Sequence, residues 1–405
     1  MLSRLSCASA RPPDVPRNGD LAGRAVWNGR PGQALAPAQM KLVPVQVLRA
    51  AAALAVAMLH AQYEAGLLAA TSGRPFRPFD LLPWEAGVDV FFVISGFVMV
   101  FASRRMFGRG WGGPEPVMRV FLARRISRVV PLYWLATTLY LGLALASPGI
   151  VSVAPSPGFV VASYAFWPAA RPDGLVQPLY SLGWTLNFEM FFYLLFALAL
   201  PWPRRTAVLV VTMALVVLVA VVAARGAPLP LSFWGDPIVL EFVLGMALGL
   251  ARTEGLLLGP SARLALGALG LVLFALVEAG FGSALPRALV FGLPAGCLVA
   301  ACGLGREHAL AEETRLTRIA AIVGDASYAL YLTHPFVVRG LRRLIELANL
   351  DIAVGPWPFV AMALVAALAA SIGVHLLIER PVTAATRRLL EPRSSRAEPR
   401  GSPAR

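Results

Sequence analysis

The chain has 405 residues, of which 58% are hydrophobic and only 14% are charged, and its mean hydropathy is +0.68. Because soluble domains average about 45–50% apolar and about 25% charged residues, this composition excludes an ordinary soluble globular protein. The formal net charge is +14, but the arginines flank apolar segments instead of forming one patch, which favours a membrane topology signal over nucleic-acid binding. The cysteines Cys7, Cys297 and Cys302 form neither a disulfide framework nor a metal-ligand spacing.

Both ends of the chain are polar. Residues 1–39 are rich in Arg, Pro, Ala and Gly and lack the apolar core of a signal peptide, so we predict a disordered basic extension. Met40 directly precedes the first apolar segment, and we expect translation to start there, which N-terminal sequencing of the native protein would test. Residues 386–405 are predicted to form a disordered tail, and residues 40–385 one membrane domain.

Ten apolar segments recur along this domain, each near the roughly 20 residues that a helix needs to cross about 30 Å of hydrocarbon. They predict an all-α protein, a bundle of about ten transmembrane helices. The two terminal segments and the loops on their side together carry most of the 36 Lys and Arg residues, so the positive-inside rule predicts that both termini are cytoplasmic. The predicted spans are about 42–62, 85–103, 128–147, 181–200, 206–224, 236–252, 263–281, 286–304, 322–342 and 357–379.

The first span contains two ionisable residues, Arg49 and His60. They lie about three helical turns apart, which places them on one face with ~16 Å between them along the axis. Ionisable groups inside a membrane cost a few kcal/mol each, so each is a candidate for function. The predicted orientation puts Arg49 toward the cytoplasm and His60 near the outer end. Alternatively, Arg49 reaches the cytoplasmic interface and His60 caps a helix end, but two such residues on one face favour function.

A basic loop precedes the third span. Its arginines exceed the two or three charges that a topology signal needs, and the guanidinium fork suits phosphate. We therefore predict that an anionic cofactor binds there from the cytoplasm, the alternative being a positive-inside stop signal. The residues predicted to bind this cofactor are Arg124, Arg125, Arg128 and, where the third span begins, Tyr133.

Other spans also contain ionisable residues. Asp89 opens the second span, either as an interfacial cap or as a functional carboxylate. Glu189 lies deep in the fourth span and needs a buried cation, a histidine or a proton. For His334 in the ninth span, hydrogen bonding between helices and catalysis are equally compatible with the pattern, and Glu241 and Glu278 belong to no motif. The four histidines are too dispersed to predict a metal site.

Six blocks in the same order carry a resemblance to a known family. The sequence resembles the acyltransferase-3 family of membrane O-acyltransferases, and within it the exopolysaccharide O-acetyltransferases of succinoglycan type. The resemblance covers about 42–385. The blocks are the Arg49 and His60 spacing, GVDVFFVISGF at 87–97, RRISRVVPLY at 124–133, SLGWTLNFEMFFYLLF at 181–196, YALYLTHPF at 328–336 and IERP at 378–381.

The resemblance implies a ten-helix enzyme of the bacterial inner membrane. Such an enzyme moves an acyl group, usually acetyl from acetyl-CoA, to a hydroxyl of a lipid-linked or growing surface polysaccharide, without a metal. The family's functional Arg and His correspond to Arg49 and His60, and its cytoplasmic basic motif to Arg125 and Arg128. Glu189 matches the acid of the fourth-span block, although the two residues before it depart from the commoner small-residue version.

The expected mechanism makes His60 the general base on the acceptor hydroxyl as this attacks the thioester carbonyl. Arg49 would hold the donor, the basic loop would bind its adenosine and pyrophosphate end, and Asp89 or Glu189 would orient His60. In a variant, an acyl-histidine forms from the donor inside and is consumed by the acceptor outside.

Two alternatives belong to other classes of protein. The first is a transporter or flippase for a polysaccharide precursor, with proton coupling through Glu189, Glu241 and Glu278. It predicts ion-dependent flux and no consumption of acetyl-CoA. The second is a structural subunit of a polymer-synthesis complex whose activity resides in another protein.

Overall fold

A computed structural model describes residues 42–110, 117–146, 156–171, 173–282, 284–306 and 315–391. The regular elements in these ranges are helices, with one isolated β-bridge between Ala170 and Val176. The predicted extension 1–39 and the predicted start at Met40 lie outside the described residues.

Fifteen α-helices are described. They are α1 Val43–Ser72, α2 Gly87–Ala102, α3 Val117–Ala146, α4 Pro157–Tyr164, α5 Gly183–Ala199, α6 Arg204–Arg225, α7 Leu231–Trp234, α8 Leu240–Thr253, α9 Pro260–Glu278, α10 Leu293–Gly303, α11 Arg315–Asp325, α12 Ser327–Leu347, α13 Asp351–Val354, α14 Pro356–Val374 and α15 Arg380–Leu390. Short 3₁₀ turns precede α2 (Trp84–Ala86) and α8 (Pro237–Val239). A π-turn precedes α10 (Ala288–Gly292), and another joins α14 to α15 (His375–Glu379).

Six of the described helices are long and apolar enough to cross a membrane. They are Val43–Ser72, Trp84–Ala102, Val117–Ala146, Arg204–Arg225, Pro260–Glu278 and Pro356–Leu390. The other predicted spans coincide with helices that are shorter or more highly charged, such as α5 and α12. The all-α membrane class is therefore confirmed, while the number ten and the cytoplasmic termini stay predictions. Helix α9 exposes apolar side chains on the protein surface, such as Leu264, Leu271 and Val272, as expected for a helix that contacts lipid.

Helix α1 is packed against α2, α11, α12 and α14. One of its faces carries an alanine at every fourth position, and none of these side chains is exposed. Small residues on one face allow neighbouring helices to approach closely. Because Arg49 lies one turn before the first of these alanines, it continues the same buried face. The alanines are Ala53, Ala57, Ala61 and Ala65.

Helices α2 and α8 cross at very short distance because glycines lie at the crossing. A Cβ atom on Gly96 would collide with the carbonyl oxygen of Phe242, and one on Gly245 with the carbonyl oxygen of Val93. Next to this crossing, the Phe242 ring stacks on Phe192 of α5, with 4.3 Å between ring centroids. Phe92 of α2 also contacts the Phe242 ring, with 4.7 Å between centroids, so α2, α5 and α8 meet at this residue.

The α2–α8 crossing gives a prediction about stability. Gly245→Val is expected to destabilise the protein by about 3 kcal/mol or more, the upper end of overpacking effects, because the obstructing atoms are backbone. Thermal unfolding of the detergent-solubilised protein measures the change. Gly142→Val on α3 is the matched control, since a Cβ there meets no atom within 4 Å. Equal melting temperatures for the two variants would contradict the proposed crossing.

The predicted boundary at 385 falls inside α15, which continues to Leu390. Arg124 of α3 donates a hydrogen bond to Glu391, with 2.6 Å between Nε and Oε1, and Arg387 donates to the same carboxylate. Burial alone would raise the pKa of Glu391, but these hydrogen bonds hold it below its usual value. These ion pairs attach the end of α15 to α3, and residues 392–405 lie outside the described part of the chain.

Candidate active site

A cavity that opens to solvent lies among α1, α2, α3, α5 and α12, and its empty space is about 840 Å³ when the part open to solvent is included. Its charged lining consists of three arginines and one glutamate, which come from three different helices. One basic residue lies on α1, two lie on α3, and the acid lies on α5, so the cavity has an excess of positive charge. The four residues are Arg49, Arg125, Arg128 and Glu189.

Glu189 is held by hydroxyl groups. Tyr193, one turn later on α5, donates its phenol hydrogen to Glu189 Oε1, and the Ser95 hydroxyl of α2 donates to the same oxygen at 3.2 Å. Glu189 also interacts electrostatically with Arg49 and Arg125. The sequence-based expectation was that Glu189 needs a buried cation, a histidine or a proton; the structure leaves its side chain half-buried, with hydroxyl groups as its hydrogen-bond partners.

The rest of the cavity wall is mainly apolar and aromatic. Phe91 and Phe92 of α2 face Tyr328 and Tyr331 of α12 across it. Both tyrosine hydroxyls are bound to other helices: Tyr328 donates to the Val129 carbonyl oxygen at 2.7 Å, and Tyr331 donates to that of Leu182 at 3.1 Å. These bonds fix the distance between α12 and helices α3 and α5, which keeps the cavity open.

Two histidines lie beyond the cavity wall formed by Tyr331. His334 lies on α12, with its ring centroid 6.4 Å from that of Tyr331, and it contacts His60 of α1. The His334 Nε2 atom is 3.4 Å from His60 Nδ1, and the ring centroids are 5.0 Å apart at an interplanar angle of 65°. His334 is completely buried, whereas His60 is half-buried. The sequence placed both residues in spans but did not predict this contact.

Ion pairs hold α1 and α12 together next to the histidines. Glu64, one turn after His60, accepts hydrogen bonds from Arg339 at 3.0 Å and from Arg342 at 2.6 Å. The Glu64 side chain is only 5% exposed. Two charge-assisted bonds to one buried carboxylate strongly resist sliding of one helix along the other. They therefore hold His60 opposite His334.

Besides His60, the structure places three predicted site residues away from the cavity lining. Successive residues of a helix point about 100° apart, so Arg124 and Arg125 cannot lie on the same face. Arg124 points to Glu391 instead. Tyr133 is fully buried and donates to the Ser163 carbonyl oxygen at 3.0 Å.

Asp89 is the third of these residues. It is fully buried and accepts a hydrogen bond from Arg287 at 2.8 Å. Its other neighbour is Glu241 of α8. The nearest contacts of His60 are the Val56 carbonyl oxygen and His334, so neither Asp89 nor Glu189 is bonded to its ring.

Several residues of these networks were missed by the sequence analysis, among them Tyr193, Arg287 and the Glu64 ion pairs. Tyr193 carried a readable signal, since it follows Glu189 by four residues on one helix. Arg287 carried none, because it is 198 positions from Asp89 in the chain. In the described residues, no group of three or more His, Cys, Asp or Glu side chains is arranged to hold a metal ion.

Comparison with known proteins identifies the family. The acyltransferase-3 model, described as an acyltransferase domain, matches residues 45–376. The chain belongs to the acyltransferase-3 family. As a member, it is a membrane acyltransferase, and the family resemblance read from its sequence blocks is confirmed.

Two relatives are similar in sequence to this acyltransferase over most of its length. The exopolysaccharide production protein ExoZ of Rhizobium meliloti (strain 1021) is 37% identical over 306 residues, covering 73% of this chain and 89% of that protein. The acyltransferase MdmB of Streptomyces mycarofaciens is 27% identical over 295 residues, covering 64% and 69% respectively. No solved structure matches the chain significantly.

Proposed function

We propose that this acyltransferase moves an acetyl group from acetyl-CoA to a hydroxyl of an exported or cell-surface polysaccharide. The observation that carries the proposal is the cavity, which combines three arginines with an aromatic wall and ends next to a histidine pair. The name of the relative ExoZ supports a polysaccharide acceptor. The proposal includes the bacterial inner membrane as its location, with both termini and the basic loop cytoplasmic, which the distribution of Lys and Arg along the sequence supports.

The positive charge of the cavity suits an anionic donor. Arginine is the side chain best suited to phosphate, because its planar fork presents several donors at once. Arg125 and Arg128, one turn apart on α3, would bind the phosphates of the donor, and Arg49 would lie deeper along its length. The apolar wall suits the thioester arm and the small acyl group.

His60 is the proposed base. Its Nε2 takes the proton of the acceptor hydroxyl, whose oxygen bonds to the thioester carbonyl carbon. The C–S bond then breaks, and the thiolate takes the proton from His60. The products are an O-acyl ester and a free thiol. Arg49 is about three helical turns from His60, so it binds the donor and does not contact the reacting carbonyl.

The function is tested in a deletion strain of the native organism. NMR of its surface polysaccharide should show the loss of an O-acetyl resonance, which returns when the wild-type gene is supplied and not when His60→Ala is supplied. Membranes with labelled acetyl-CoA should label the polysaccharide in parallel. An unchanged polysaccharide spectrum would refute the acceptor assignment, and labelling only from another acyl-CoA would refute acetyl.

A further inference from the structure

The hydrogen bonds of His60 and His334 determine where each ring carries its proton. His60 Nδ1 is 2.9 Å from the Val56 carbonyl oxygen, and His334 Nδ1 is 2.9 Å from the Leu330 carbonyl oxygen. A carbonyl oxygen only accepts, so each Nδ1 carries a hydrogen. In the neutral rings, each Nε2 therefore has a free lone pair.

The same assignment makes the contact between the two rings directional. The His60 Nδ1 and His334 Nε2 nitrogens are 3.4 Å apart, and the hydrogen on the former meets the lone pair on the latter. The hydrogen is shared between that nitrogen and the Val56 carbonyl oxygen, and His60 Nε2 is left as the free basic atom. His334 is completely buried, and its own Nδ1 is fixed by Leu330, so its ring cannot turn without breaking a buried hydrogen bond.

We propose that His334 is the positioning residue for His60, a role that rests on the proposed acyl transfer. Its neutral imidazole accepts from His60 Nδ1–H, holds Nε2 toward the substrates and stabilises the imidazolium that forms when Nε2 takes the hydroxyl proton. His334 is not itself a catalytic residue, because its Nε2 faces His60. The role resembles that of a carboxylate behind a catalytic histidine, but it adds no buried charge.

The surroundings support a neutral partner. The nearest charged groups are Arg339 and Glu64, which are paired with each other at 3.0 Å. Helix α14, packed against both α1 and α12, has no titratable side chain over Pro356–Val374. Asp89 on α2 forms an ion pair with Arg287. His334 Nε2 is thus the side-chain acceptor available to the His60 Nδ1–H among the described contacts.

The test compares two substitutions of His334 in the full-length protein. Leucine removes the acceptor, whereas the amide oxygen of glutamine can accept from His60 Nδ1–H. We expect His334→Leu to lower kcat about 10- to 100-fold with donor KM unchanged, because Val56 still holds the tautomer. His334→Gln should recover at least a third of wild-type kcat. Thr333→Val is the control: its hydroxyl bonds only within α12, to the Ala329 carbonyl oxygen at 2.8 Å.

The outcomes separate this inference from the function on which it rests. A wild-type protein without transfer activity would refute the proposed function itself. If wild type and Thr333→Val are active and His334→Leu matches them, the positioning role is wrong. Equal loss in the leucine and glutamine variants would also overturn it, since an acceptor would then not suffice. If size exclusion shows that the leucine variant does not fold, the glutamine variant is used instead. A kcat below one third of the wild-type value would then overturn the positioning role.

Discussion

Replacing His60 with alanine should lower kcat for acyl transfer by about 10²–10⁴-fold, the range for loss of a general base. Donor KM should stay within about twofold of the wild-type value, because His60 is not part of the cavity lining. The measurement is transfer of labelled acetyl from acetyl-CoA to polysaccharide in membranes that contain equal amounts of each variant.

A matched control lies on the same helix. Tyr63 is 63% exposed on α1, three residues after His60, and Tyr63→Phe should keep full activity. Full transfer by His60→Ala would rule out the base assignment. Incubation with labelled donor alone distinguishes the relay variant: a label bound to wild-type protein and absent from His60→Ala would support an acyl-histidine, whereas direct transfer leaves both proteins unlabelled.

Arg49→Gln should produce a kinetic pattern opposite to that of His60→Ala, with the main effect on donor KM instead of kcat. A charge-assisted hydrogen bond contributes about 1.5–3 kcal/mol, so losing one to the donor should raise donor KM about 10- to 100-fold with a smaller change in kcat. The variant should also unfold at lower temperature, because Glu189 loses one of its cationic neighbours. Steady-state kinetics and thermal unfolding measure the two effects separately.

Two further variants make the Arg49 prediction specific. Adding Glu189→Gln to Arg49→Gln should recover the melting temperature without restoring donor KM, because the uncompensated charge is gone but the donor contact is still missing. Restored KM in the double variant would mean that Arg49 acts only on stability. Arg124→Gln tests the face of α3: its effect on donor KM should stay below threefold, and a loss equal to that of Arg128→Gln would favour the broader sequence-based assignment.

Local sequence periodicity was sufficient to predict much of the secondary structure and part of the candidate site. Apolar segments of membrane length predicted helices, and the three-turn spacing of Arg49 and His60 predicted that both lie on one face of the first span. The pairing of Glu189 with Tyr193 was equally readable, since it depends on one helical turn. These features depend on residues close in the chain, whose relative positions follow from helix geometry alone.

Packing between distant segments determined the remaining contacts. Asp89 meets Arg287 rather than His60 because α2 lies against α8 and the segment before α10, a contact between residues 198 positions apart. His60 meets His334 because Glu64 and the arginines of α12 fix the register of two helices. Helical periodicity indicates which face a side chain occupies, but not which helix lies opposite, since that depends on the packing of the whole chain. The partner of the proposed base was therefore visible only in the folded protein.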